Sequence, residues 1–264
     1  KIMRHFKRYL IVGGMPEAVQ EYVDSGDISL VSRIQESIIQ FYKRDFTKYE
    51  KLEKKLRLIS IYNQIPSQLM KQNRRFNYSN LKKGLRYERL EESFLWLTYA
   101  GVSIPVYNSS EPRVALEQNT KSTLLKLYYS DVGLLTHQYG GTIRTRILGD
   151  DSNINLGGIY ENAVAQELNS HGFSIYFYNS HKNGELDFLI EQDMSVVPIE
   201  VKSGKDYTIH SAMSKTVANE EYKINKAYVF SNYNVSHKGI ITYLPIYMVC
   251  FIDNHNEICI LEPI

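Results

Sequence analysis

The sequence contains little that would support an extracellular or membrane-bound protein. Only two of its 264 residues are cysteine, Cys250 and Cys259, which excludes a disulfide scaffold and a cysteine-rich zinc site. So few cysteines favour a reducing cytoplasm as the location. The longest apolar run, residues 243–252, is interrupted by Pro245 and is far shorter than the roughly 20 residues of a membrane-spanning helix. The composition therefore predicts a cytoplasmic protein with no membrane segment.

Several common catalytic motifs are also missing from the sequence. None of the seven histidines forms a pair with the spacing of a metal site, which predicts that each lies on the surface or in a loop. No arrangement of Ser, His and Asp or of Cys and His indicates nucleophilic catalysis. The phosphate-binding pattern Gly-x-x-x-x-Gly-Lys-Ser/Thr is absent, so nothing within this chain predicts direct ATP binding.

What the sequence does contain is enough apolar material for a sizeable core and an uneven distribution of charge. Hydrophobic residues make up 43% of the chain, which is typical of a folded protein. Residues 1–140 hold 22 Lys and Arg against 14 Asp and Glu, whereas residues 141–264 hold 9 against 15. A basic half attracts polyanions and an acidic half can bind hard cations, although such an excess is also compatible with an ordinary solvated surface.

Apolar periodicity predicts helices first and strands later, and therefore an α/β protein, α+β overall. Helices are predicted over 28–46, 51–63, 66–72, 85–100, 158–170 and 209–222. Strands are predicted over 102–107, 126–129, 173–179, 185–191, 195–202, 226–231, 245–252 and 257–262. Helices followed by a β wing have the order of a winged helix. We predict four segments: a helical connector at 1–50, a winged-helix-like domain at 51–136, a polar linker at 137–156, and an α/β domain with a central mixed sheet at 157–264.

The most informative residues lie on two neighbouring strands of the last segment. The short connector between these strands predicts a hairpin that folds about Asp193 and Met194. Strand alternation then brings Asp187, Glu200 and Lys202 onto one sheet face. Converging carboxylates suit Mg²⁺ or Mn²⁺, and a nearby Lys can orient a water or pair with a phosphate. Ordinary cross-strand ion pairs on a solvated face are the alternative interpretation.

A second candidate surface is the basic stretch at 71–90, which contains seven Lys and Arg opposed only by Glu88. Its aromatic residues, Phe76, Tyr78 and Tyr87, could pack on sugars or bases. The predicted nucleic-acid contacts are Lys71, Arg74, Arg75, Lys82, Lys83 and Arg86. Alternatively, the stretch docks another protein module or a second protomer.

Seven sequence blocks, in this order, resemble one known family. The blocks are Gly13–Val19, Ile65–Leu69, Trp96–Val102, Tyr129–Leu135, Gly157–Leu168, Glu185–Ile190 and Pro198–Gly204. Together they resemble the C-terminal region of bacterial AAA-family ATP-binding proteins, which includes a domain of unknown function. The order Glu161, Asp187, Glu200-Val201-Lys202 resembles the PD-(D/E)XK, or restriction-endonuclease-like, fold.

The resemblance implies an arrangement larger than this chain. A P-loop ATPase module would lie upstream, residues 1–50 would be its end and a connector, and ATP would act only through that missing module. Asp187 and Glu200 would bind Mg²⁺ or Mn²⁺, Lys202 would act on the water, and Glu161 would assist.

Two functions follow from these patterns. The first is metal-dependent cleavage of DNA phosphodiesters, controlled by the upstream ATPase. The second is a catalytically silent module that binds DNA or protein and regulates the ATPase. Partners would be DNA and the ATPase module, with a homo-oligomer compatible with either function.

Overall fold

The computed structural model of the chain describes residues 1–46, 52–81, 84, 86–149 and 156–254, with the side chain of Ser122 excepted. The protein has a mixed α/β architecture. It divides into two compact units. Unit 1 comprises residues 1–107 and 122–166, and unit 2 comprises residues 108–121 and 167–264. Within the described ranges, none of the helices is both long enough and apolar enough to cross a bilayer.

Unit 1 is mainly helical. Its helices are α1 (Ile2–Val12), α2 (Pro16–Ser25), α3 (Ile28–Asp45), α4 (Leu52–Leu69), α5 (Glu91–Tyr99), α6 (Val132–Gln138), α7 (Gly141–Leu148) and most of α8 (Gly157–Ser170). Strands β1 (Ser103–Ser109) and β2 (Thr120–Tyr129) are hydrogen-bonded neighbours and lie largely in this unit. Its core contains a group of buried aromatic rings, in which Tyr62 stacks on Tyr129 with centroids 4.4 Å apart.

The turn after α1 is fixed by one buried carboxylate. Asp131 accepts a hydrogen bond from the backbone N–H of Gly14 (2.6 Å) and another from Leu134 (2.8 Å), which caps the start of α6. Gly13 has φ of 77°, and a Cβ atom there would lie 2.3 Å from the Asp131 Oδ1 atom. Only glycine fits this position.

Unit 2 contains a mixed sheet. Its strands are β3 (Tyr176–Ser180), β4 (Gly184–Gln192), β5 (Ser195–Val201), β6 (Ala227–Ser231), β7 (Ser236–Lys238) and β8 (Ile241–Pro245), in the order β3-β4-β5-β6-β8-β7. β3, β4 and β5 pair antiparallel, whereas β5, β6 and β8 run parallel. Helix α9 (Ser211–Val217) packs on a core that includes Leu186, Val229 and Met213.

Helix α4 differs from its prediction because it continues through Pro66 and ends at Leu69. A proline inside a helix leaves the carbonyl four residues earlier without its usual N–H donor. That carbonyl belongs to Tyr62, and the hydroxyl of Tyr129 donates to it at 3.1 Å. A hydrogen bond from a residue distant in sequence therefore replaces the missing helical one.

Three other expectations differ from the structure in detail. The segment predicted as a linker at 137–156 contains α7, which begins after Gly140 and ends before Gly149; residues 150–155 lie outside the described ranges. The predicted strand 245–252 is wrong, because β8 ends at Pro245 and a 3₁₀ helix covers Ile246–Phe251. The predicted helix 85–100 is shorter, with α5 preceded by a 3₁₀ turn at Tyr87–Arg89. The predicted strand at 257–262 lies outside the described residues.

Candidate functional site

The candidate site in unit 2 is built on the β4–β5 hairpin. Gln192 pairs with Ser195, so Asp193 and Met194 form a two-residue turn. Both have positive φ, 52° and 56°, as a type I′ turn requires. The hairpin therefore folds at the two residues that the sequence indicated.

The hairpin register places the two acidic residues across from each other. Phe188 pairs with Ile199, and continuing this register by one position sets Asp187 opposite Glu200. Residues directly opposite in an antiparallel pair project to the same face. Asp187 Oδ2 accepts the N–H of Val201 at 2.8 Å, and this bond orients the carboxylate at the end of β5.

Lys202 completes this group. Its Nζ atom lies 2.7 Å from Glu200 Oε1. Glu200 is only 7% exposed, and a buried carboxylate needs a cation or hydrogen-bond donors to offset its lost hydration. Lys202 supplies that charge while its own side chain is partly exposed. The structure therefore brings Asp187, Glu200 and Lys202 together at the end of β5.

The donor set suits one hard divalent cation. Mg²⁺ is usually bound through one or two carboxylates and completes its octahedral shell with water and phosphate oxygens. Asp187 and Glu200 provide two such carboxylates. In the described part of the chain no group of three or more His, Cys, Asp or Glu is placed to hold a metal. Asp187 and Glu200 are therefore the residues that could hold Mg²⁺ or Mn²⁺, with water and substrate oxygens as the remaining ligands.

Glu161 has a different environment, inside unit 1. Its Oε1 atom accepts from Arg74 Nη1 at 2.5 Å, and its Oε2 atom accepts from the Tyr128 hydroxyl at 2.8 Å. The Lys126 ammonium lies 3.7 Å from Oε2. Glu161 is 1% exposed, and Lys126 is fully buried. These contacts account for a buried glutamate on α8, and the assisting catalytic role of Glu161 stays a prediction.

The basic side chains of the stretch at 71–90 differ in direction: some face the interior of unit 1 and others face solvent. Arg74 has φ of 46° and directs its guanidinium to Glu161, whereas Lys71 and Arg86 are exposed and Arg75 is half-buried. A cleft of about 390 Å³ lies along this surface. It is lined by Lys71, Asn73, Arg75, Phe76, Asn77, Tyr78 and Ser79. The predicted contacts Lys82 and Lys83 lie outside the described residues.

The aromatic residues of this stretch face the interior. Phe76 and Tyr87 are almost completely buried. Phe94 contacts both rings, with centroids 5.4 Å from Phe76 and 5.9 Å from Tyr87. The Tyr78 hydroxyl donates to the backbone carbonyl of Thr123 at 2.9 Å. Phe76 and Tyr87 therefore stabilise unit 1 and do not present ring faces to bases, contrary to the sequence interpretation.

Sequence reasoning also missed His210, which it assigned to a surface or loop. The imidazole is buried at the start of α9, with Nε2 2.7 Å from the Tyr243 hydroxyl and Nδ1 3.3 Å from Ser214 Oγ. Burial lowers the pKa of His210, and the nearby charges of Lys202 and Lys238 lower it further. The sequence feature that could have indicated this burial is the position of His210 just before Ala212 and Met213, which are the buried apolar residues of α9.

Comparison with curated proteins finds no match, and comparison with solved structures finds none either. Two family models match the chain. Residues 156–249 match the one described as Domain of unknown function (DUF4143). Residues 3–144, more than half of the chain, match the one described as Domain of unknown function (DUF8612). The chain therefore belongs to the DUF8612 family.

Proposed function

We propose that this chain is the C-terminal part of an AAA-family ATPase and that unit 2 is a PD-(D/E)XK-type, metal-dependent nuclease acting on DNA phosphodiesters. The observation that supports this proposal is the grouping of Asp187, Glu200 and Lys202 at the end of β5. Two carboxylates and one ammonium on adjacent strands provide both a cation site and a donor for a phosphate.

Each residue of the group has a distinct task in this proposal. The Val201 N–H holds the Asp187 carboxylate in place, and Glu200 holds the Lys202 ammonium. Lys202 then donates to the attacking water or to a non-bridging phosphate oxygen. A bound metal would lower the pKa of the attacking water and neutralise charge on the phosphate.

We propose that unit 1 is the winged-helix domain and that it contacts DNA through its exposed basic surface. Lys71, Arg75 and Arg86, together with Lys82 and Lys83, would bind phosphates. Arg74 is a weaker candidate than the sequence indicated, because its guanidinium is committed to the buried Glu161 carboxylate. Contacts of this kind would position the duplex without reading its sequence.

A second candidate is a catalytically silent binding module that regulates the upstream ATPase. The observation in its favour is the 2.7 Å Glu200–Lys202 ion pair. This pair already offsets the burial of Glu200 without any metal. In this alternative the same residues stabilise the end of β5 and perform no chemistry.

Plasmid nicking separates the two functions. With Mg²⁺ and the full-length protein supplied with ATP, we expect nicking by wild type and its loss in Asp187→Asn and in Glu200→Gln, because each variant removes one carboxylate charge. Lys202→Gln should slow nicking while metal binding persists. Glu185→Gln, which changes a partly buried carboxylate at the start of β4, is the matched control and should nick normally. Absence of nicking by wild type would favour the silent module, and nicking that survives Asp187→Asn would exclude this site.

A further inference from the structure

The loops that follow β5 and β6 form a shared surface beside the candidate site. β5, β6 and β8 are parallel, so their carboxyl ends lie at one edge of the sheet, where open α/β sheets commonly bind ligands. The Lys202 N–H donates to the Phe230 carbonyl at 2.8 Å. The Asn232 side chain donates to the Ser203 carbonyl at 3.3 Å. The first bond connects the end of β5 to β6, and the second connects the loops that follow these two strands.

Each loop contributes one tyrosine to this surface. Tyr207 follows β5 and Tyr233 follows β6, and their rings stack with centroids 4.2 Å apart and an interplanar angle of 16°. Tyr243 meets Tyr207 edge-on, at 5.7 Å and 85°. Tyr207 thus contacts both Tyr243 and Tyr233. Tyr233 is the outer member of the group and keeps 38% of its surface exposed.

Charges of both signs lie beside this stacked pair. Lys205 lies two residues before Tyr207 and is exposed, and the exposed Asp206 stands between them. The charges of Lys202 and Lys238 act on His210, whose ring contacts Tyr243. Flat aromatic surface beside lysines is the combination with which proteins bind single-stranded nucleic acids, the rings stacking on bases and the cations contacting phosphates.

We propose that the Tyr207–Tyr233 pair is a stacking platform for a nucleobase of an unpaired nucleic-acid strand. This inference rests on the proposed function, because the strand would place a phosphate at Lys202 while the preceding or following base lies on Tyr233. The platform would add affinity for a strand that is locally unpaired, since a base inside a duplex has no free face to stack.

The test compares two fluorescein-labelled probes in EDTA, a ten-residue oligothymidylate and a ten-unit abasic deoxyribose-phosphate strand. One stacked base contributes about 1–3 kcal/mol, so wild type should bind the thymidylate probe roughly 5- to 150-fold more tightly. Tyr233→Ala should remove this preference, and Tyr233→Trp should keep it. Lys202→Gln should weaken both probes alike. Tyr99→Ala removes an exposed tyrosine of unit 1 and should change neither affinity.

Equal affinity of wild type for both probes would overturn the platform, and so would a base preference that survives in Tyr233→Ala. Thermal melting of each variant checks that it is folded. Displacement of the probe by an equimolar amount of free thymidine monophosphate would contradict a strand as the ligand. The outcome is separable from that of the nuclease proposal. Nicking without base preference contradicts only the platform, whereas base preference without nicking or metal binding contradicts only the nuclease.

Discussion

At the scale of single residues, Glu161 has a predicted catalytic role and an observed structural one. The resemblance to the PD-(D/E)XK pattern predicts an assisting catalytic role for this glutamate. The structure shows its carboxylate bound to Arg74 and Tyr128, with the buried Lys126 nearby. Removing one partner of a buried ion pair leaves an uncompensated charge and typically costs about 3–5 kcal/mol.

We therefore expect Glu161→Gln to lower the free energy of unfolding by roughly 3 kcal/mol, because Arg74 and Lys126 lose the charge that offsets their burial. Urea unfolding measures this change. Glu53→Gln removes an exposed i,i+4 partner of Arg57 and should cost less than about 0.5 kcal/mol. Equal, small effects of the two substitutions would show that the buried cluster contributes little to stability.

His210 predicts a pH dependence of stability. Burial keeps its folded-state pKa below the ordinary value of 6.5, so the unfolded chain takes up a proton first as the solution is acidified. Stability is then constant above about pH 6.5 and falls as the pH drops from there towards the folded-state pKa. Thermal melting between pH 7.5 and pH 5 should show this fall in wild type and a flatter profile in His210→Gln.

The control for the pH experiment is His181→Gln, which removes an exposed imidazole near the β3–β4 turn and should leave the profile of wild type. The groups around His210 are Tyr243, Ser214, Lys202 and Lys238. A His210→Gln variant that loses stability on acidification as steeply as wild type would show that other groups are responsible.

At the scale of elements, the β4–β5 turn holds two non-glycine residues at positive φ. This conformation costs roughly 1 kcal/mol for a residue with a Cβ atom. Met194 is 95% exposed and contributes no packing. Met194→Gly should therefore raise the free energy of unfolding by about 0.5–1 kcal/mol, as measured by urea unfolding. Met194→Ala keeps the Cβ atom and should give no such gain; a gain from alanine equal to that from glycine would contradict the strain argument.

Local patterns predicted those elements whose signals are themselves local. The hairpin at Asp193 and Met194 followed from two alternating strands and a short connector, and α3 followed from its apolar stripe. The predictions of a helix beginning at Pro66 and of a strand over 245–252 were wrong for different reasons. At Pro66 a distant hydroxyl, that of Tyr129, replaces the lost helical bond. After Pro245 only Ile246 and Val249 are buried in the 3₁₀ helix, and hydrophobicity alone does not separate such a segment from a strand.

The contacts of the candidate site are also local to the hairpin. Strand alternation predicted that Asp187, Glu200 and Lys202 share a face, and the structure has Asp187 bonded to the Val201 N–H and Lys202 paired with Glu200. Strand alternation gave no sign that Tyr207, Tyr233 and His210 lie near the carboxyl ends of β5 and β6, because the parallel pairing of β5 with β6 spans 25 or more residues of sequence. The inward direction of Arg74 was equally hidden, since it depends on the left-handed backbone at that residue and on a partner on α8.

At the scale of the whole molecule, we propose that the basic surface of unit 1 contacts DNA and that unit 2 performs the chemistry. The charge distribution along the sequence agrees with this division, because the basic excess lies in residues 1–140 and the acidic excess in residues 141–264. The family matches fall on corresponding ranges, residues 3–144 and 156–249. The central claim is that the acidic half holds one divalent cation between Asp187 and Glu200.

Titration of the chain with Mn²⁺ by isothermal calorimetry tests that claim most directly. We expect one weak site per chain. Asp187→Asn and Glu200→Gln should each abolish it, while Lys202→Gln should bind equally or more tightly because a competing positive charge is removed. Glu185→Gln should bind as wild type does. Absence of binding by wild type, or an unchanged isotherm in both Asp187→Asn and Glu200→Gln, would contradict the account.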